Sequence, residues 1–421
     1  MNSFFTPIRS LFALLMPLAL LAQSPEAAAQ SPKADPKVAK RLRADVYTLA
    51  DDAMEGRKVG TRGEQLAADY LSGRMAKLKL ATHELAPAYR STFSAQPKVH
   101  GVAHGAPVTG TNVLGVVRGR RPELAPLVIG AHYDHWGWGG EGSLYRGKDS
   151  SIHNGADDNA SGVAAVLELA YRLQRAKPNR SVIVVAFSGE EQGLWGSNDL
   201  AKKLARLTVK PAAMINMDMV GRLGATRQLA LYGVGTSPAW PEALAAAGAS
   251  ETFRLKIDSS GVGPSDHTSF YLTDVPVLHL FTGQHADYHQ PSDDADKINF
   301  DGLAEVVDLV EAVLRQLDER AEIPFTKTKS SASDTPRFKV TLGVVPDYLY
   351  DGQGMRIDGT TDGKPAARAG LQRGDVVTAL GDQPVANMTG YMEALSKFAP
   401  GQETTVTVLR DGVKLVLPLK F

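Results

Sequence analysis

Along the first part of the chain, apolar residues recur at helical spacing; from Asn112 onward they collect into brief runs of the kind that buried strands show. Val38, Leu42, Val46 and Leu49 predict one helix. After a break at Met54-Glu55-Gly56-Arg57, the stretch from Gly63 through Ala67, Tyr70, Leu71 and Met75 predicts another. Beyond Asn112 the apolar runs are Val113–Val117, Leu127–Ala131, Val182–Phe187, Ala213–Met217, Leu229–Tyr232 and Val275–Phe281. They alternate with helical patterns such as Ala160–Arg175 and Phe300–Glu319. Short apolar runs interleaved with helices predict an α/β fold: a mixed, mostly parallel central sheet flanked by helices.

The pattern also divides the chain. Periodicity fails over residues 321–337, where Thr, Lys, Ser, Pro and Asp accumulate, which is linker composition. Residues 338–421 predict a separate, small, mainly-β module, with strand-like runs Thr404–Leu409 and Leu415–Leu419 on either side of the hairpin signal Asp411-Gly412. The larger domain spans 38–320, preceded by a charged lead-in at 30–37. At the N-terminus, Arg9 precedes an apolar run from Leu11 to Ala22 that ends in small residues through Ala27-Ala28-Ala29. This predicts a secretory signal peptide over residues 1–29, and a periplasmic or secreted protein with no stable membrane anchor. The run is shorter than the roughly 20 apolar residues that span a bilayer.

Composition narrows the chemistry. Lysine plus arginine and aspartate plus glutamate both number 46, so no net field recommends nucleic acid as a partner. The chain contains no cysteine, which excludes disulfides, thiolate metal sites and cysteine nucleophiles, and leaves His, Asp and Glu as metal ligands.

Seven of the ten histidines fall between His132 and His289, together with the acidic motifs. His132 directly follows one apolar run and Asp218 another, Glu190 and Glu191 stand just past Val182–Phe187, and His289 follows Val275–Phe281 by a short loop. In open α/β sheets, sites form beyond the carboxyl ends of parallel strands, so these side chains are expected on one rim. Asp157-Asp158, on a loop of small residues before a helix, can cap that helix or bridge two divalent ions. In Glu190-Glu191, one carboxylate can ligate metal while its neighbour faces the attacking water as a general base. Asp134 is placed to orient His132, Asp293 to orient His289, and Tyr288 to donate to an oxyanion. His135, His153 and His267 read as histidines lining the site, and His83, His100 and His104 as surface. Trp136, Trp138, Phe270, Tyr271 and Phe281 offer apolar lining. No Gly-x-Ser-x-Gly elbow, Walker A loop or Gly-x-Gly-x-x-Gly fingerprint is present, which leaves metal-assisted hydrolysis as the leading reading.

The motifs Gly130-Ala131-His132-Tyr133-Asp134-His135, His153 through Gly162, Glu190 through Ser197, Asn216-Met217-Asp218-Met219 and Tyr288-His289 with Asp293 resemble those of the co-catalytic dinuclear zinc aminopeptidases. These include the secreted bacterial leucine-type enzymes and, more distantly, glutamate carboxypeptidases. The resemblance implies a zinc exopeptidase fold, peptide substrates and two Zn²⁺ ions, with Co²⁺ or Mn²⁺ as substitutes. It makes Asp158 the bridging ligand, followed by a cis peptide to Asn159. His132 and Asp218 complete one site, Glu191 and His289 the other, and Glu190 acts as base. Carboxypeptidase action, with Arg222 as a candidate carboxylate partner, and a cyclase of the glutaminyl type on one zinc are alternatives on the same fold. The C-terminal module resembles a bacterial PDZ domain through Pro365–Leu371 and Arg373–Val377. The resemblance makes Leu342, Gly343 and Val344 a loop that binds peptide C-termini. A peptide-binding protein acting through this module is the remaining alternative.

Overall fold

The computed structural model describes Met1 and residues 33–99, 102–103, 105–140, 142–145, 147–328, 340–347, 350, 352–361 and 363–421. The expected signal peptide, apart from Met1, lies outside these residues. So do His100, His104 and the second part of the expected linker.

Two helices come first, α1 (Pro36–Leu49) and α2 (Arg62–Lys77). The Asp35 side chain caps α1 by accepting the Lys37 N–H, and Pro36 opens the first turn, where its missing N–H costs nothing. Strands then follow as β1 (Arg90–Ala95), β2 (Lys98–Val99), β3 (Val102–Ala103), β4 (Val108–Val117), β5 (Leu127–His132), β6 (Val182–Phe187), β7 (Ala213–Met217), β8 (Gln228–Tyr232), β9 (Arg254–Ile257) and β10 (Val277–Phe281). Between them run helices α3 (Gly162–Ala176), α4 (Trp195–Leu204), α5 (Ala239–Ala246), α6 (Ala249–Thr252) and α7 (His267–Tyr271), and α8 (Phe300–Asp318) closes the domain.

Except for the small β2–β3 pair, the strands form one sheet in the order β1-β4-β6-β5-β7-β10-β8-β9. Its centre, β6-β5-β7-β10, is parallel. The flanking pairs β1–β4, β4–β6 and β8–β10 are antiparallel, so the sheet is mixed as expected. Every residue of β5, β6, β7 and β10 is buried, which explains their continuous apolar runs. Alternation divides them between two cores. Leu127, Ile129 and Ala131 join α1, α3 and α8 on one face, while Val128, Ile183, Val185 and Phe187 join α4 and α7 on the other. The parallel centre therefore leaves its carboxyl ends as one rim between two helical layers.

Boundaries move where backbone chemistry outweighs hydropathy. β10 begins after Pro276, which has no N–H to give the ladder. α3 begins at Gly162 because residues 156–161 form a wider turn ahead of it. Residues 322–328, expected as linker, are irregular but docked: the Thr326 N–H donates to the Thr236 carbonyl at 2.7 Å, and Phe325 packs on the α4–α7 core.

The C-terminal module has its own sheet, built from β11 (Val344–Pro346), β12 (Met355–Thr360), β13 (Val376–Leu380), β14 (Gln383–Pro384), β15 (Glu403–Arg410) and β16 (Val413–Lys420). The order is β11-β12-β13-β15-β16, with β14 on β13 and antiparallel pairing throughout. Helices α9 (Pro365–Ala369) and α10 (Met388–Leu395) accompany it. Leu342, Ile357, Val377, Leu380, Val406 and Val408 form a core separate from that of the larger domain. At the β15–β16 turn, Asp411 and Gly412 both take left-handed φ (50° and 80°), as a two-residue hairpin with this twist requires.

Candidate metal centre

The expected rim exists. β5 ends in His132, the turn after β6 carries Glu190 and Glu191, Asp218 directly follows β7, and the loop after β10 carries Tyr288 and His289. Asp158 reaches the same point from the turn that precedes α3. That turn is entered through Gly155 at φ +53°, where a Cβ would sit 2.2 Å from the Asp158 carbonyl oxygen, so only glycine fits. The Asp158–Asn159 peptide is cis.

Asp158 faces two histidines with different oxygens. Its Oδ1 lies 3.3 Å from His132 Nε2, and its Oδ2 lies 3.2 Å from His289 Nε2. His132 Nε2 is also 3.2 Å from Asp218 Oδ1, and His289 Nε2 is 3.3 Å from Glu191 Oε2. Two donor groups, hinged on one carboxylate, thus stand side by side. Glu190 belongs with His132 and Asp218, with ligand atoms within 4.8 Å of one another.

The surroundings orient these groups. His132 Nδ1 is 3.1 Å from the Asp134 carbonyl, while the Asp134 carboxylate accepts the Glu190 N–H at 3.2 Å. Asp134 therefore positions the Glu190 turn as well as His132. Asp293 has a different use from the one expected. His289 Nδ1 is held by the Gly142 carbonyl at 3.0 Å, and Asp293 Oδ2 accepts the N–H groups of both Asp157 and Asp158 at 3.0 Å. Its position beside the start of the turn, with its own carbonyl accepting the Ala156 N–H, makes it the clamp of the Asp158 loop. Arg57, fully buried, donates to the carbonyls of Tyr133, Leu49, Asn154 and Gly155 and ties the first helical layer to that loop.

The electrostatics are those of a site with an excess of buried acid. Burial, joined by repulsion from Glu191 and Asp218, pushes the Glu190 carboxyl well above its ordinary range against the pull of His132. Burial lifts Asp134 to about 8, Asp266 to about 7 and, with Asp157 beside it, Asp293 to about 7. Burial alone would lower His289, yet Glu191 and Asp158 raise it to about 10; His132 is likewise carried well above the imidazole range by Asp218, Glu190 and Asp158. Asp158 is held well below the carboxylate range, despite its burial, by His135, His132 and His289.

This donor set fits divalent cations. His289 Nε2 is buried and, among the described residues, makes no hydrogen bond, although two carboxylate oxygens lie within 3.3 Å of it. Imidazole and carboxylate donors with more acid than base are the composition that zinc neutralises.

Other expectations shift. His135 is more than lining: it is fully buried, with Nδ1 2.8 Å from Glu191 Oε1, and it groups with Asp158 and Glu191 within 4.8 Å. His153 sits beside it, its Nε2 2.6 Å from Ser143 Oγ. His267 is buried and stacks on His279 with centroids 4.5 Å apart. His83 is half-buried. The reading from sequence passed over His279, inside the apolar run of β10, and gave no role to Asp266, whose carboxylate is fully buried. A lone histidine in Val277–Phe281 was the available signal. Leu194, Met219 and His289, all on the cavity wall, have left-handed φ of 61°, 51° and 53°, a backbone strain of the kind that collects at functional sites.

The centre opens into a cavity of about 300 Å³ whose apolar wall includes Trp136, Leu194, Met219, Tyr232 and Phe281. Phe270 and Tyr271 do not line it, because α7 turns them into the core under the sheet, and Trp138 is exposed. Arg222 pairs with Asp287 at 3.0 Å and is not part of this wall, so the carboxylate-binding role considered for it has no support. Tyr288 is on the wall, its ring 3.8 Å from that of His289. In the C-terminal module, Leu342 is buried in the core and Val344 opens β11. Gly343 has φ +72° and its N–H donates to Thr341 Oγ1 at 3.1 Å.

Comparison with known proteins agrees with this geometry. Residues 112–314 match the model of Peptidase family M28, and residues 340–420 match the PDZ domain model. A probable zinc metalloprotease of Pyrenophora tritici-repentis is 35% identical over 167 residues, 38% of this chain and 32% of its own length. The chain thus spans about a third of that relative. The uncharacterized protein YfbL of Escherichia coli K12 is 29% identical over 239 residues, 49% of this chain and 72% of its own. Among solved structures, a zinc aminopeptidase from Bacillus subtilis superposes with a TM-score of 0.55 at 19% identity, over 70% of this chain and 97% of that one. A Bacteroides thetaiotaomicron glutaminyl cyclase does so at 0.53 and 19%, over 68% and 99%. Sheet order, site motifs and family models converge: residues 112–314 carry the match to Peptidase family M28, and residues 340–420 behind them the match to a PDZ domain.

Proposed function

We propose that this chain is an exported zinc aminopeptidase that removes N-terminal residues from peptides. Two ions would be held by Asp158, shared between them, with His132 and Asp218 on one side and Glu191 and His289 on the other. The observation that carries the reading is Asp158 itself, whose two oxygens face His132 and His289 at 3.3 and 3.2 Å. When bound, a pair of zinc ions supplies Lewis acidity at the scissile carbonyl and makes water a nucleophile near neutral pH. Glu190 is the base: Asp158 already closes the donor set of His132 and Asp218, which frees Glu190 to take a proton from the attacking water and pass it to the leaving amine. Asp134 fixes the Glu190 turn through its backbone N–H. Tyr288, on the cavity wall, donates its phenol to the developing oxyanion. Signal cleavage before Gln30 completes the proposal, and the N-terminal residue of the exported protein from a bacterial host tests it.

Elemental analysis of the purified protein, with hydrolysis of leucyl-p-nitroanilide by wild type and Glu190→Gln, tests the chemistry. The expected result is about two zinc equivalents in both proteins, with kcat reduced by about 10²–10⁴ in the variant. One equivalent, with cyclisation of N-terminal glutamine and no release of leucine, would replace this reading by the cyclase. Release from the C-terminus alone would replace it by a carboxypeptidase.

A further inference from the structure

Two cavities meet at the loop that carries His289. Gln284 and Tyr288 line the cavity of the metal centre, and the same two side chains line a second cavity of about 300 Å³. The opposite wall of this second cavity belongs to the PDZ domain: Val345 on β11, Gly359 and Thr360 on β12, and Arg373. Lys256 Nζ donates to the Tyr350 carbonyl at 2.7 Å, a further contact between the two domains.

We infer that this interdomain cavity receives the main chain of the peptide substrate beyond the scissile bond, so that the PDZ domain forms the far wall of the substrate site. The inference rests on the aminopeptidase reading above. An N-terminal residue held at the metal centre leaves the rest of its chain to exit past Tyr288, and the interdomain cavity adjoins that residue. Its PDZ wall suits an extended peptide. β11, whose Val345 lines the cavity, is the edge strand of its sheet, and among the described residues no strand pairs with its outer side. Gly359 keeps the wall low, since a Cβ there would meet only Val345 Cγ2, at 3.9 Å. Arg373, with its side chain 57% exposed and 3.7 Å from Asp358, offers a cation to the free carboxylate of a short peptide.

Kinetics of the full-length, zinc-loaded protein on leucyl-p-nitroanilide and on a leucyl hexapeptide, as free acid and as amide, test the inference with two variants. Gly359→Trp fills the cavity. It should lower kcat/KM on the hexapeptide about tenfold while changing that on leucyl-p-nitroanilide by less than about twofold. Arg373→Glu, at an exposed position that leaves folding intact, should raise KM about fivefold for the hexapeptide acid and little for its amide. If both variants treat all three substrates as wild type does, or lower all three equally, the cavity is not in the substrate path and the inference falls. If wild type releases leucine from none of them, the aminopeptidase reading falls first.

Discussion

Asp158 shows how one side chain defines this centre: a carboxylate offers two equivalent oxygens, and only a rigid loop can keep each on a different histidine. The rigidity comes from Asp293, whose Oδ2 accepts both the Asp157 and the Asp158 N–H at 3.0 Å. Asp293→Ala leaves two buried N–H groups without an acceptor and releases the loop, while every ligand remains in place. Zinc affinity should therefore fall by about 10–100-fold, as removal of groups that orient metal ligands generally does. A chelator-competition titration measures it. Unchanged affinity would show that the loop is held by other contacts, Arg57 and Gly155 foremost. The same residue marks where reading from sequence stopped. Asp293 is four positions from His289 and is expected beside it on sequence alone, but proximity in sequence says nothing about which way a carboxylate turns after a tight bend.

At the scale of elements, the helical layer that backs the centre is tied by a buried acid. Glu168 on α3 accepts from Arg41 on α1 at 2.6 Å and from Arg172 at 2.9 Å, and Arg172 reaches on to Asp308 and Glu311 of α8. Replacing Glu168 by Gln keeps its volume but strips the charge that balances two arginines. Because both arginines are partly exposed, the loss should be moderate, about 2 kcal/mol, and a urea melt reads it as a lower midpoint. Legibility followed burial. The central strands β5, β6 and β7 were readable nearly to the residue, because strands buried on both faces are uninterrupted apolar runs. β1 and β9, at the sheet edges, escaped notice: Arg90–Ala95 alternates two buried residues with polar ones, and Arg254–Ile257 has no fully buried residue at all. The convergence of His132, Asp218 and the Glu190-Glu191 pair on one rim was legible because each stands beside such a run. Asp266 escaped notice because a polar residue buried behind a site leaves no periodic trace, whereas His279, on the cavity wall, did leave one as a lone histidine in an apolar run.

For the whole molecule, the metal-free centre has an unusual linkage to pH. In the folded chain without metal, Asp134 titrates at about 8 and His289 at about 10, while Glu190 and His132 lie well above their ordinary ranges. The unfolded chain holds these carboxyls at about 4 and these imidazoles at about 6.5. Between pH 6.5 and 8 the folded state therefore binds more protons than the unfolded one, and stability falls as pH rises. The buried histidines with lowered values, His279 at about 4 and His267 well below the usual range, act the other way, but each contributes no more than about half a proton at pH 6.5 and less above it, so the raised groups prevail. Asp158 and Glu191, held low, contribute stability that is lost only in acid, below the unfolded carboxylate range. Zinc reverses the slope, because a divalent ion replaces those protons as the counter-charge and binds more tightly as the ligands deprotonate. The melting temperature of chelator-treated protein should thus decline from pH 6.5 to 8, and the increment produced by zinc should grow across the same interval. Differential scanning at three pH values, with and without zinc, measures both. An increment that stays constant would mean that the site binds metal without releasing protons, which a centre of neutralised buried acids and charged imidazoles cannot do.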